Sequence, residues 1–173
     1  MNLITDRLII RSWREEDIED YASIIAKSSV MKYIGDGGTY GQEGASKFIA
    51  RSMAHEREFG WVLWAVEQRQ EAKLLGFCGF AELSAGYVEQ NDCVEIGWRL
   101  DQPYWNQGYG TEAAKAVLEY GLAAYHFPLV ASVAQIENTG SIRIMQKIGL
   151  NFDKYAVDLK CDRRVVVYSR SYS

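Results

Sequence analysis

Two glycines, Gly108 and Gly110, stand just before the most regular amphipathic stretch of the chain, which begins at Thr111. A glycine at such a place lets the backbone turn with positive φ and lets a ligand approach the main chain closely. The free N–H groups of a first helical turn, reinforced by the helix dipole, form an anion site suited to phosphate or pyrophosphate. A plain tight turn before a helix accounts for the same pair. Gly108-x-Gly110-x-x-Ala113 also fits the dinucleotide fingerprint, but its context does not. That fingerprint follows its strand directly and needs an acidic residue about 20 positions later. Here the preceding strand ends near Leu100, and positions 129 to 131 read Leu-Val-Ala. No G-x-x-x-x-G-K-[ST] occurs, so a P-loop is absent.

The titratable candidates are few. Glu95 lies in a strand-like stretch whose alternation puts Cys93, Glu95, Gly97 and Arg99 on one face. A carboxylate there serves as a proton acceptor, or it simply pairs with Arg99 or another basic group. Glu82 is a second, weaker candidate. Ser141 falls in the first turn of a helix opened by Asn138, and either residue has a purely local reading as a cap. His55 and His126 read as surface or helix-end residues. Tyr33, Trp61 and Trp64 fit an acceptor pocket or the core equally well. Cys78, Cys93 and Cys161 are odd in number and lack metal-ligand spacing, so no metal site is expected and Cys78 and Cys93 read as reduced core thiols.

The elements that hold these residues follow from periodicity. A strand covers Arg7 to Trp13, and helices cover about Glu15 to Lys27 and Gln42 to Phe59. Three strands, Trp61 to Glu67, Leu74 to Leu83 and Cys93 to Leu100, are joined closely enough for an antiparallel meander. Gly76 or Gly79 marks a bulge in the second of them. Asp101 to Gly110 is a loop. Ala114, Val117, Leu118, Gly121, Leu122 and Tyr125 then repeat at helical spacing up to Pro128. Leu129 to Ala134 is a short strand, and Asn138 to Ile148 a helix that stops at Gly149. Two strands, about Asn151 to Leu159 and Arg164 to Arg170, close the order. One β-α-β crossover inside this mixed order implies an α+β fold around a mixed, mostly antiparallel sheet with about four helices.

At 173 residues the chain suits one domain spanning 1–173, large enough to bury a core without disulfide or metal. Hydrophobic residues make up 48% and charged residues 24%, and the net charge of −4 argues against a nucleic-acid partner. Two prolines exclude a Pro-rich linker. The opening residues lack a signal-peptide h-region and no run is long and apolar enough for a membrane span, so a cytoplasmic place is expected.

Three segments carry a resemblance. Val94-Glu95-Ile96-Gly97-Trp98-Arg99-Leu100 followed by Tyr104-Trp105-Asn106-Gln107-Gly108-Tyr109-Gly110-Thr111-Glu112-Ala113 resembles the coenzyme motif of the GNAT superfamily of N-acetyltransferases. Trp105 stands where the Q/R-x-x-G-x-G/A core opens on Gln or Arg, a departure usual in the ribosomal-protein-alanine acetyltransferase-like (RimJ/RimL-type) branch. Glu137 to Leu150 resembles that branch's N-x-x-S-x-x-x-x-x-K-x-G-F, with Leu150 for Phe, and Thr5 to Arg11 looks like its first strand.

The resemblance implies an acyl-CoA-dependent enzyme that passes an acetyl group from acetyl-CoA to a primary amine, on a protein N-terminus or a small molecule. It implies direct attack in a ternary complex. The sheet is expected to splay between the strand ending near Leu100 and the one starting near Leu129. Pantetheine would pair there with backbone at Trp98, Arg99 and Leu100. Amides of Asn106, Gln107, Gly108, Tyr109, Gly110 and Thr111 would take the pyrophosphate, and Asn138 would contact the coenzyme or the acceptor. Many relatives use a tyrosine as proton donor at the position of Met145, which cannot donate. Ser141 is then the alternative donor and Glu95 the base. The segment from about Ser29 to Gly41 would shape the acceptor pocket. A homodimer is common in the branch. An aminoglycoside or polyamine acetyltransferase, or an acyl-CoA-binding regulator without turnover, stays open at this point.

Overall fold

The computed structural model describes residues 1–83, 87–88 and 93–172. The connection read over Ser84 to Asp92 lies largely outside them. Eight strands form one sheet in the order β1-β2-β3-β4-β5-β6-β8-β7. They are β1 (Asn2–Ile4), β2 (Leu8–Arg11), β3 (Leu63–Gln68), β4 (Lys73–Glu82), β5 (Cys93–Leu100), β6 (Leu129–Gln135), β7 (Asn151–Asp158) and β8 (Arg163–Ser171). The helices are α1 (Asp17–Ile25), α2 (Ser28–Met31), α3 (Gln42–Phe59), α4 (Tyr109–Tyr125) and α5 (Thr139–Lys147). The sequence reading misses the three-residue β1, the 3-10 turn inside its 101–110 loop and the single-turn α2, the last of which brings the α-helices to five rather than about four. Elements that short carry too little periodicity to register.

The sheet lies between two layers. On one face α1, α2 and α3 close over a core of Trp13, Tyr21, Ile24, Met31, Ile49 and Phe77. On the other, α4 and α5 close over Trp64, Phe80, Ile96, Val117 and Met145. Burying an apolar stripe of each helix against a sheet face is the main stabilising term here. Strands β3 to β5 form the expected antiparallel meander, and β2 pairs antiparallel with β3. Its register shifts where Val66 faces Gly76 and Glu67 faces Leu74, so the bulge falls beside Gly76. Gly76 has φ +141°, and a Cβ there would lie 2.0 Å from the Arg99 carbonyl oxygen. Only glycine accepts that backbone and that approach.

The crossover β5-α4-β6 makes the one parallel pair among the described strands. That pair is short. Cys93, Val94 and Glu95 face Leu129, Val130 and Ala131, and there the pairing ends. Beyond it β5 continues to Leu100 against β4 alone, and β6 continues to Gln135 against β8 alone. The sheet therefore divides between two inner strands, leaving two backbone edges in the middle of the molecule.

Candidate active site

Four pieces surround this opening. The first is the glycine loop. Trp105 ends a 3-10 turn (Gln102–Tyr104), and its indole N–H donates to the Leu100 carbonyl at 2.7 Å. The aromatic that departs from the Gln or Arg of the motif thus finishes the free edge of β5. Asn106 and Gly108 both adopt the left-handed backbone, with φ +59° and +85°. Gly108 is the N-cap of α4, and the first bond into the helix runs from Glu112 N–H to Gly108 O at 2.9 Å. Among the described residues, none of the amides from Asn106 to Thr111 donates to a protein acceptor. Buried or not, such a run of free donors at a helix N-terminus is an anion cradle.

Gly110 departs from the sequence reading. It is helical and buried rather than part of the turn, and a Cβ would stand 2.9 Å from Ile144 Cδ1. Its smallness lets α5 pack on α4, while the positive φ belongs to Gly108.

The second piece is the start of α5. Asn138 caps it, its side-chain oxygen accepting from Ser141 N–H at 3.2 Å. Ser141 Oγ in turn accepts from Trp98 Nε1 at 3.3 Å, so its hydroxyl proton is left to point elsewhere. Met145, one turn on, is fully buried in the core.

The third piece is Glu95, at the last position where β5 pairs with β6. The amide N–H of Val133, on β6 just past the last β5–β6 pair, acts on the Glu95 carboxylate. Burial pushes its pKa up to about 7; the Val133 N–H and Lys160 act the other way, and Asp158 adds to the rise. Glu95 shares a pocket of about 140 Å³ with Tyr33, Gly35, Gln135, Asp158 and Lys160. Arg99 does not pair with it. The Arg99 guanidinium donates to the Tyr21 hydroxyl at 3.0 Å and lies over the Phe77 ring, 5.1 Å from its centroid. Glu82 is exposed and pairs with Val94, which puts it on the opposite face from Glu95. Tyr33 is at the pocket, whereas Trp64 is core and Trp61 packs on His55 and Phe127. His126 is the exposed C-cap of α4.

The fourth piece is the segment from α2 to Gly35. Lys27 Nζ bonds both oxygens of Asp101 at 2.7 Å, and Ser29 Oγ donates to Gln102 Oε1 at 2.6 Å. At its other end Gln135 Nε2 donates to the Gly35 carbonyl at 3.1 Å. One end is thus tied beyond β5 and the other to β6, so the segment bridges the opening on the α1–α3 side. Sequence reasoning reached Ser29 only as the start of a segment implied by the resemblance and did not single out Lys27 or Gln135, because only their pairing across the fold gives them meaning.

Ser141 and Glu95 stand on opposite faces of the sheet. Trp98, bonded to Ser141, is on the α4–α5 side, and Glu95 shares the α1–α3 side with Arg99. The opening between β5 and β6 joins the two. Among the described residues no cluster of His, Cys, Asp or Glu fits a metal ion, and no helix is long and apolar enough to cross a membrane.

A helix-capped run of free amides beside a split mixed sheet thus offers donors suited to an anion next to backbone edges suited to an extended chain. The Acetyltransferase (GNAT) domain family matches residues 7–151. An N-acetyltransferase of Bacillus subtilis, YnaD, is 33% identical over 150 residues, 87% of this chain and 82% of that protein. The crystal structure of a GNAT-family acetyltransferase from Bacillus anthracis superposes with a TM-score of 0.84 at 28% identity, covering 99% of this chain and 98% of that one. A ribosomal-protein-S5-alanine acetyltransferase from Vibrio fischeri shares the fold, with a TM-score of 0.83 at 12% identity over 99% and 96% of the two chains. The chain belongs to the GNAT acetyltransferase family, and it is an acyl-CoA-dependent N-acetyltransferase.

Proposed function

We propose that this enzyme moves the acetyl group of acetyl-CoA to a primary amine by direct attack in a ternary complex. The donor enters from the α4–α5 side. The amides from Asn106 to Thr111 take its pyrophosphate. The free edge of β5 at Trp98 and Arg99 pairs with the pantetheine amides, much as an added strand would. The Leu100 carbonyl, already bonded to Trp105, contributes least. The Asn138 carbonyl is occupied by its capping bond, so its amide NH₂ is the part that meets donor or acceptor.

The acceptor enters from the α1–α3 side, beneath the segment that ends at Gly35. The amine must be neutral to attack, and a carboxylate titrating near 7 is matched to removing its proton at neutral pH. The nitrogen attacks the thioester carbon, the C–S bond breaks, and the proton lost by nitrogen goes to Glu95. The Ser141 hydroxyl hydrogen-bonds the departing sulfur and lowers the cost of the thiolate. The observation that carries this reading is Glu95 itself, raised to about 7 at the point where the sheet opens. The acceptor is a protein N-terminus, as in the ribosomal-protein branch, or a small amine, and the cytoplasm supplies the donor.

A thiol-release assay over a panel of peptide N-termini, aminoglycosides and polyamines tests the proposal. Release that depends on an amine supports it. Coenzyme binding without turnover on any amine would contradict it and point to an acyl-CoA-binding regulator, the alternative left open by the apolar Met145.

A further inference from the structure

The glycine loop is not held by its own helix alone. A carboxylate, Glu112, sits in the first turn of α4 at the mouth of the anion cradle. Near a helix N-terminus a carboxylate stabilises the helix, but it also repels any phosphate arriving there. Glu112 is surrounded by donors from a distant part of the chain. Thr5 Oγ1 donates to it at 2.6 Å, the Arg7 amide at 3.0 Å and Arg7 Nε at 2.7 Å, with Arg7 Nη2 at 2.6 Å. Burial alone would raise its pKa, but the Thr5 hydroxyl and Arg7 outweigh this and hold it below the ordinary carboxylate value.

The same guanidinium reaches the loop. Arg7 Nη1 donates to the Gln107 carbonyl at 2.9 Å, and its carbon lies 4.2 Å from the centroid of the Tyr109 ring. Arg7 Nη2 is 3.3 Å from where a Cβ of Gly108 would stand. Arg7 is itself fixed from behind: Arg69 N–H donates to the Arg7 carbonyl at 2.9 Å, and Arg69 Nη1 to the Thr5 carbonyl at 2.8 Å. One cation, delivered by the turn before β2, thus neutralises the only acid of the first turn and grips the residue before the capping glycine.

We propose that Arg7 is a positioning residue for the coenzyme's pyrophosphate: it cancels the charge of Glu112 and holds the Asn106-to-Gly108 backbone in its left-handed turn. This rests on reading the loop as a pyrophosphate site. Two contributions are separable. Loss of Arg7 leaves Glu112 bare beside the phosphate, whereas loss of both removes the repulsion along with the grip.

Calorimetric binding of CoA to the wild-type protein, Arg7→Met, Glu112→Gln and the double variant tests this. Arg7→Met weakens CoA about tenfold, and the double variant recovers at least about threefold of that loss. Arg7→Lys, which keeps the charge without the fork, falls between wild type and Arg7→Met. In turnover, Arg7→Met raises the acetyl-CoA KM by a similar factor, with kcat changed by less than about threefold. An Arg7→Met protein that binds CoA as wild type does, or a double variant no tighter than Arg7→Met, overturns the role of Arg7. If the wild-type protein does not bind CoA, the pyrophosphate site falls and this role with it. Melting curves on each variant separate these outcomes from unfolding, which lowers Tm without a selective effect on CoA.

Discussion

Trp98 Nε1 donates to Ser141 Oγ at 3.3 Å, linking the free part of β5 to the first turn of α5. The indole occupies an acceptor site of the hydroxyl and leaves its proton for another partner. That geometry leaves the hydroxyl proton available for the donor role toward sulfur proposed for Ser141. Ser141→Ala should lower kcat about 10- to 100-fold with CoA affinity unchanged, since one hydrogen bond to developing charge is lost. Trp98→Phe should give a smaller fall, by freeing the hydroxyl to rotate. Steady-state kinetics together with CoA calorimetry check both; full kcat in Ser141→Ala removes the serine from the chemistry.

Gly108 combines φ +85° with an exposed position at the helix cap. Gly108→Val places a β-branched residue in left-handed backbone and over the free amides. Coenzyme Kd should rise at least about tenfold, with the Tm lowered by only a few degrees. Unchanged CoA binding would show that the cradle is not the pyrophosphate site.

The raised pKa of Glu95 has a stability consequence. In the folded chain the group holds its proton up to about pH 7, whereas the unfolded chain releases it near the ordinary carboxylate value. The folded state binds more protons between those limits, so wild-type stability falls as pH rises from about 4.5 to 7. Glu95→Gln should therefore melt higher than wild type at pH 8, by roughly 1–3 kcal/mol of stability. The gap should close by pH 5. Melts of the two proteins at both pH values test it, and a constant gap would place the cause elsewhere.

Arg11 and Asp17 form a buried, two-bonded pair, with both contacts at 2.8 Å, and Arg11 also donates to Glu67 at 2.8 Å. The pair ties the start of α1 to β2 beneath the layer that roofs the acceptor side. Asp17→Asn leaves the buried Arg11 with Glu67 as its remaining carboxylate partner, so it should cost about 1–3 kcal/mol in denaturant unfolding. Arg11→Met, which strands both Asp17 and Glu67, should cost more, about 3–5 kcal/mol.

Much of this architecture is legible in the sequence because long elements carry their period. Gln42–Phe59 and Cys93–Leu100 come out with their observed ends, and Asn138 and Gly149 announce the limits of α5 through capping chemistry. The motif likewise locates the cradle, since a glycine before an amphipathic helix has a local physical meaning. What sequence spacing does not carry is the partner of a charged side chain. Arg99 lies two positions from Gly97 and four from Glu95 on one face, yet its partner is Tyr21 of α1. Arg7 lies over a hundred positions from Glu112 and is bonded to it. The split of the sheet is likewise invisible residue by residue, because it is a statement about where two strands stop pairing. Gly110 shows the same limit from the other side: a glycine of the motif whose role is to admit Ile144.

The central claim, amine acetylation through the opening with Glu95 as base, meets its most direct test in the pH dependence of kcat/KM. The acceptor should be one whose amine is neutral throughout, so that only the enzyme titrates. Wild type should show an ascending limb with an apparent pKa near 7, from the Glu95 carboxylate. Glu95→Gln should lose that limb and run about 10²-fold or more slower at pH 8. A Glu95→Gln enzyme that keeps both the limb and the wild-type rate contradicts the account.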